Sequence, residues 1–242
     1  MRYFIEFSYH GKNYFGYQIQ PNEISVQEVV ERVLSTLFRS PIKITGAGRT
    51  DTGVHAKKMF AHFDFSEFLE DDIVARLNRF LPPDIVVRRL FLVREGLHAR
   101  FDALYRTYEY IITTEKNPFL IDFSWQVNKN LDIEAMNKAC KILVRYKDFS
   151  SFSKKGADNK TGICTIYFAQ WLRREAEVVF TIKADRFLRN MVRAIVGTMV
   201  EVGTGKKTVP DFKTIIERKN RFLAGPSAPA KGLFLVDVGY DF

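Results

Sequence analysis

Alternation on both sides of one glycine-rich stretch constrains this chain more than any other feature. Ile42 and Ile44 before it, and Met59, Ala61, Phe63 and Phe65 after it, recur at a period of two, the spacing of half-buried strands. Between them runs Gly46-Ala47-Gly48-Arg49-Thr50-Asp51-Thr52-Gly53-Val54-His55-Ala56. Glycine reaches backbone angles that side chains forbid and admits another chain or a ligand at close range. The stretch therefore reads as a loop joining two strands, and loops on a rigid scaffold are where chemistry concentrates. Asp51 is the only acid between Glu31 and Asp64, with Arg49 two residues away. A carboxylate beside a guanidinium stays ionised and can then serve as base, metal ligand or nucleophile. A tight turn with a solvated ion pair would use the same residues. Two phosphate-binding patterns are excluded. There is no Gly-Lys-Ser/Thr ending, and strand residues rather than a helix follow the glycines.

The rest of the chain mixes strands with helices. Tyr3, Ile5, Phe7 and Tyr9 alternate as a first strand. Ser25 caps a helix, Glu28 completes a capping box, and Val26, Val29, Val30, Val33, Leu34 and Leu37 form the buried stripe. Asp71-Asp72 open a second helix that Pro82-Pro83 end, and Ile85 to Val93 is a β-branched strand. The second half repeats this plan loosely. Tyr105 to Thr113 reads as a strand, Asp132 opens a helix, and Ile163 to Leu172 with Glu177 to Ala184 read as a hairpin. A long helix is expected over Phe187 to Val202, ended by Gly203 and Gly205. A short helix follows at Pro210, and Leu233 to Val238 is a last strand. The pattern is α+β, mainly antiparallel strands covered by helices. A boundary near Asp102 divides it into an N-terminal half, residues 1–102, with the glycine-rich loop, and a C-terminal half, 103–242.

Composition narrows the class. A length of 242 residues fits one large domain or two small ones, and 46% hydrophobic content supplies a core. The formal net charge of +9 points to a polyanion, most often nucleic acid. Basic residues gather at Arg88-Arg89, Lys154-Lys155, Arg173-Arg174, Arg186, Arg189 and Lys206-Lys207, a phosphate-tracking surface whose binding should weaken steeply with salt. Cys140 and Cys164 are far apart in apolar surroundings, which suits small core residues in a reducing compartment. The four histidines lack ligand spacing, and no apolar run is long enough for a membrane span. Glu6 interrupts the apolar N-terminus, so no signal peptide is read there and a cytoplasmic location is expected.

Five segments in order resemble the TruA family of tRNA pseudouridine synthases. Gly48-Arg49-Thr50-Asp51-Thr52-Gly53-Val54-His55-Ala56 is similar to its signature, and Tyr9-His10-Gly11-Lys12-Asn13-Tyr14-Phe15-Gly16-Tyr17-Gln18 with Ser25-Val26-Gln27-Glu28 to its opening. Ala99-Arg100-Phe101-Asp102-Ala103 with Arg106-Thr107-Tyr108-Glu109-Tyr110 resembles its central segment. Phe187-Leu188-Arg189-Asn190-Met191-Val192-Arg193 resembles its late helix, and Ala228-Pro229-Ala230-Lys231-Gly232-Leu233 the start of its last strand. The resemblance implies two related α/β halves around a central basic cleft. It also implies conversion of uridine to pseudouridine at positions 38 to 40 of the tRNA anticodon arm, by a homodimer, with no metal or organic cofactor. It makes Asp51 the nucleophile, attacking either the ribose or the uracil ring. Arg49 would contact phosphate and help hold the target nucleotide out of its stack. Arg193 would partner Asp51, Tyr108 would contact the base, and Leu233 would line the pocket. His55 completes the motif as a structural residue, and Tyr110 on the strand face of Tyr108 reads as core. Two departures stand out. Tyr17 replaces a common Trp, and Thr107 and Glu109 stand where basic residues are frequent. A non-catalytic tRNA-binding or folding module would share the basic surface. A metal-dependent nuclease would need clustered carboxylates, and none lies near Asp51 in sequence.

Overall fold

The alternating residues at the N-terminus form a strand paired along both edges, and every second side chain in it is large and apolar. The computed structural model describes residues 1–154, 156 and 161–242; Lys155 of the Lys154-Lys155 pair lies outside the described residues. Contacts divide the chain into two units, Met1–Leu104 with Phe234–Phe242, and Tyr105–Leu233. In chain order the strands are β1 (Arg2–Tyr9), β2 (Thr45–Gly46), β3 (His55–Asp64), β4 (Ile85–Val93), β5 (Tyr105–Thr113), β6 (Trp125–Gln126), β7 (Ile166–Arg174), β8 (Glu177–Ala184) and β9 (Leu233–Gly239). The helices are α1 (Val26–Phe38), α2 (Ile73–Phe80), α3 (Ile133–Leu143), α4 (Met191–Gly203) and α5 (Val209–Arg218).

In the first unit β1 pairs antiparallel with β3 and β4, and Ile5 lies opposite both Ala61 and Leu90. The other edge of β3 is shared. Antiparallel β2 takes its far half, and parallel β9 meets His55 and Ala56 through Phe234 and Leu235. The alternation before and after the loop suggests half-buried strands, but residues 59 to 63 of β3 are all buried. Aromatic rings cover both faces. Phe63 stacks on Tyr3 and meets Phe38 of α1, while Phe60 on the opposite face packs edge-on against Tyr240 at 5.2 Å. Each fully buried Phe contributes roughly 1.5–3 kcal/mol relative to exposure. Helix α1 starts at the expected cap, with Ser25 Oγ accepting from the Glu28 N–H at 3.2 Å, one half of the expected capping box. It also carries a buried acid. Glu31 accepts from the Ile44 N–H at 3.0 Å and from Lys43 Nζ at 2.9 Å, so the helix grips the segment that enters the loop.

The second unit has β8 between β5 and β7, all antiparallel, and β6 parallel to β5. Asn137 joins α3 to β7 by bonding both backbone groups of Trp171, and Trp171 stacks on Phe180 at 4.7 Å. Two boundaries differ from expectation. Helix α4 begins at Met191 rather than Phe187, because Asn190 stands in the left-handed region at φ 66 and turns the chain. Strand β7 begins at Ile166 rather than Ile163, because Ile163 bridges Asp148 in an isolated pair. Both cysteines are buried, and desolvation pushes each thiol up to about 12, as expected of small core residues. The fold class is α+β with mainly antiparallel pairing. Among the described residues no helix is long and apolar enough to cross a membrane.

Candidate active site

Three backbone approaches shape the loop that carries Asp51. A Cβ on Gly11 would stand 2.0 Å from Val54 O, and one on Gly16, which sits at φ +90, would stand 2.6 Å from Thr50 O. One on Gly46 would meet the Tyr17 ring at 2.4 Å. Only glycine fits at such distances. Hydrogen bonds then fix the turn. The Tyr17 N–H donates to Thr50 O at 3.2 Å, the Val54 N–H to Asp51 O at 3.1 Å, and the Ala47 N–H to Phe60 O at 2.7 Å. The Tyr9 and Thr50 hydroxyls meet at 2.8 Å in a buried pair. Thr50 is therefore anchored on both backbone and side chain, while its neighbour Asp51 is half-buried and Arg49 is exposed. That arrangement presents one carboxylate and one guanidinium from a backbone with little freedom.

His55 belongs to the frame. It is 2% exposed, its Nδ1 accepts from the Gly11 N–H at 3.0 Å, and its ring stacks on Phe234 at 4.7 Å. An accepting Nδ1 places the proton of the neutral ring on Nε2. Further along β3, His62 Nδ1 accepts from the Ala99 N–H at 3.1 Å, and burial pushes this imidazole down to about 4. The central motif residues Ala99 and Asp102 are held in the same way, by Tyr240 Oη donating to Ala99 O and the His98 N–H donating to Asp102 Oδ2. Tyr17 is buried against Gly46, and its Oη has no hydrogen-bond partner among the described residues. A hollow of about 310 Å³ between α2 and β4 shares no residue with the loop.

The second unit holds Tyr108, Arg193 and Leu233. Tyr108 is half-buried on β5, and the Phe187 ring meets it edge-on at 5.2 Å, an 89° crossing that sets its plane. Sequence reasoning singled out Tyr108 but not Phe187, whose freedom to reach it comes from the late start of α4. Tyr110, two residues on, is fully buried, donates to Pro229 O at 2.8 Å and has its phenol pushed well up by desolvation. It is core, as its place on the strand indicated. Arg193 lies in the first turn of α4 between buried Val192 and Ala194, and its Nε donates to Ala228 O at 2.7 Å. The chain from Ala228 runs past the Tyr110 ring, where a Cβ on Gly232 would stand 2.7 Å away, to buried Leu233. Basic side chains gather nearby. Arg106 donates to Asp185 O, and Lys183 Nζ lies 3.5 Å from the Tyr105 ring centre. Arg89, by contrast, is paired with Glu6.

A family model described as tRNA pseudouridine synthase matches residues 139–241, which include Arg193 and Leu233. Similarity to curated relatives runs the length of the chain. The tRNA pseudouridine synthase A of Bacteroides thetaiotaomicron is 54% identical over 99% of this chain and 90% of the relative. That of Parabacteroides distasonis is 53% identical over 99% and 96%, and that of Thermosipho melanesiensis 42% over 98% of each. The chain belongs to the tRNA pseudouridine synthases and, among them, to the tRNA pseudouridine synthase A family.

Proposed function

We propose that this protein isomerises uridine to pseudouridine at positions 38 to 40 of the tRNA anticodon arm, with Asp51 as the nucleophile. The observation that carries the proposal is the Asp51 loop. It is a half-buried carboxylate on a turn held by Tyr9, Tyr17 and Val54, in a chain more than half identical to a named tRNA pseudouridine synthase A. The reaction breaks the bond from ribose C1′ to uracil N1 and forms one from C1′ to C5. The hydrogen on C5 leaves to solvent and N1 gains one, so substrate and product have the same composition. An ionised carboxylate can add and leave again, which lets the base detach and turn. No redox partner or group donor enters that balance, and we assign no metal or organic cofactor.

The substrate-binding residues we assign are Arg49 to phosphate and the extruded nucleotide, Tyr108 to the uracil face, Arg193 as a substrate-side cation and Leu233 to the pocket wall. The motif positions support these roles, and an aromatic face suits an unstacked base. The family resemblance supports a homodimer, and two buried, unpaired cysteines suit the cytoplasm. The test uses Asp51→Asn and Asp51→Ala on tRNA labelled with tritium at uracil C5. Both variants should bind tRNA within a few-fold of wild type and release tritium on the order of 10⁴-fold more slowly, or not at all. Normal release by either variant overturns the assignment, and no release by the wild-type protein would leave a tRNA-binding module.

A further inference from the structure

We infer that Arg221 is a positioning residue for Arg193, acting through the strap of chain from Arg221 to Ala228. The inference rests on the reading of Arg193 as a substrate-side cation. Residues 193 and 228 are joined twice, in opposite senses. Arg193 Nε donates to Ala228 O at 2.7 Å, and the Ala228 N–H donates to Arg193 O at 2.9 Å. The roll of the guanidinium therefore follows the placement of Ala228.

What places Ala228 is a set of side chains, Asn190 from the late-helix motif and Arg221, Ser227 and Thr198 from outside the quoted motifs. Arg221 Nη1 donates to Gly225 O at 3.1 Å, and its Nη2 donates to Ser227 Oγ at 3.1 Å. Ser227 Oγ also accepts from Asn190 Nδ2 at 2.6 Å, and Asn190 is the left-handed residue that starts α4. The Gly225 N–H donates to Thr198 Oγ1 at 2.9 Å, and Thr198 Oγ1 donates back to Ala194 O at 2.7 Å. Pro226 lies so close to the helix that a Cβ on Gly197 would stand 1.8 Å from its carbonyl oxygen. The strap is thus tied to the N-cap of α4 at 190 and to the helix at 193 and 198, packs against it at 197, and is closed on itself by Arg221.

Arg221 is half-buried, and these partners are neutral oxygens. Moving a cation from water onto neutral acceptors costs free energy unless those bonds are made. A guanidinium also does here what an ammonium cannot, because its planar fork sets two acceptors at a fixed angle.

The experiment measures kcat and KM for tRNA by tritium release, using full-length Arg221→Lys, Ser227→Ala and Arg193→Ala proteins and the two double variants. Arg221→Lys and Ser227→Ala should each lower kcat on the order of 10- to 100-fold, the loss produced by a misplaced group, with KM within twofold. In the Arg193→Ala background neither should lower kcat further, because coupled residues are not additive. Additive losses in that background, or wild-type kcat in both single variants while Arg193→Ala is slow, overturn the strap alone. Wild-type kcat in Arg193→Ala overturns the role of Arg193 and the inference with it.

Discussion

The Asp51 loop and the Arg193 strap both hold charged side chains, but they do so with different materials. The loop is built from backbone against backbone. Gly11 and Gly16 admit Val54 O and Thr50 O, and main-chain bonds do most of the holding. The strap is built from side chains: Arg221 closes it on itself, and Asn190, Ser227 and Thr198 tie it to the start and first turns of a helix. The loop is therefore sensitive to any added atom, whereas the strap is sensitive to the loss of particular groups. The difference teaches that a residue's freedom to vary depends on how its neighbourhood is fastened.

The sharpest way to break this contrast is Gly11→Ala. Its Cβ would meet carbonyl oxygen that cannot swing aside, so urea denaturation should show a loss of about 3 kcal/mol or more, and tritium release should collapse with it. Unchanged stability and turnover would show that the loop yields. Next in size is Tyr108. Losing a stacked base costs about 1–3 kcal/mol, so Tyr108→Leu should slow turnover by roughly 5- to 150-fold while Tyr108→Phe stays within a few-fold. Equal losses would assign the role to the hydroxyl.

Acid should separate the two units. All four histidines lie in the first. Burial, with Arg2 and His98 adding to it against Asp64 and Asp102, pushes His62 down from 6.5 to about 4. Unfolded histidine binds a proton in that window and folded His62 does not. Its contribution is therefore complete above pH 6.5 and is lost as pH falls toward 4, with a slope of at most about 1.4 kcal/mol per pH unit. The urea midpoint measured from pH 7 to 4.5 should fall less steeply in His62→Gln; an unaltered slope would remove His62 as the cause. The smallest effect concerns Tyr17. Its hydroxyl is buried without a partner among the described residues, so Tyr17→Phe should be neutral or more stable by about 1 kcal/mol. A comparable loss would reveal a hidden acceptor.

Much of this fold was legible because its signals are local. Paired prolines and β-branched runs marked β4 and β5 to the residue, and Asp72 and Asp132 marked the starts of α2 and α3. What escaped was long-range or conformational. The return of β9 to β3 joins residues far apart in the chain, His55 with Phe234 and Ala56 with Leu235, and period-two alternation records only one of the two buried faces of β3. The late start of α4 depends on a single left-handed Asn190, a choice its neighbours do not advertise. Within the candidate site, the motif singled out Asp51 and Arg49. The Tyr9–Thr50 pair, the Phe187 edge on Tyr108 and the Arg193–Ala228 bond are contacts between residues distant in sequence, and no spacing rule finds them.

The most direct measurement is a map of pseudouridine in an unmodified tRNA transcript after incubation with the wild-type protein and with Asp51→Asn. The account predicts pseudouridine at positions 38 to 40 with the wild-type protein and none with the variant, although both bind the transcript. Modified residues in the Asp51→Asn sample, or only elsewhere in the wild-type sample, would contradict it.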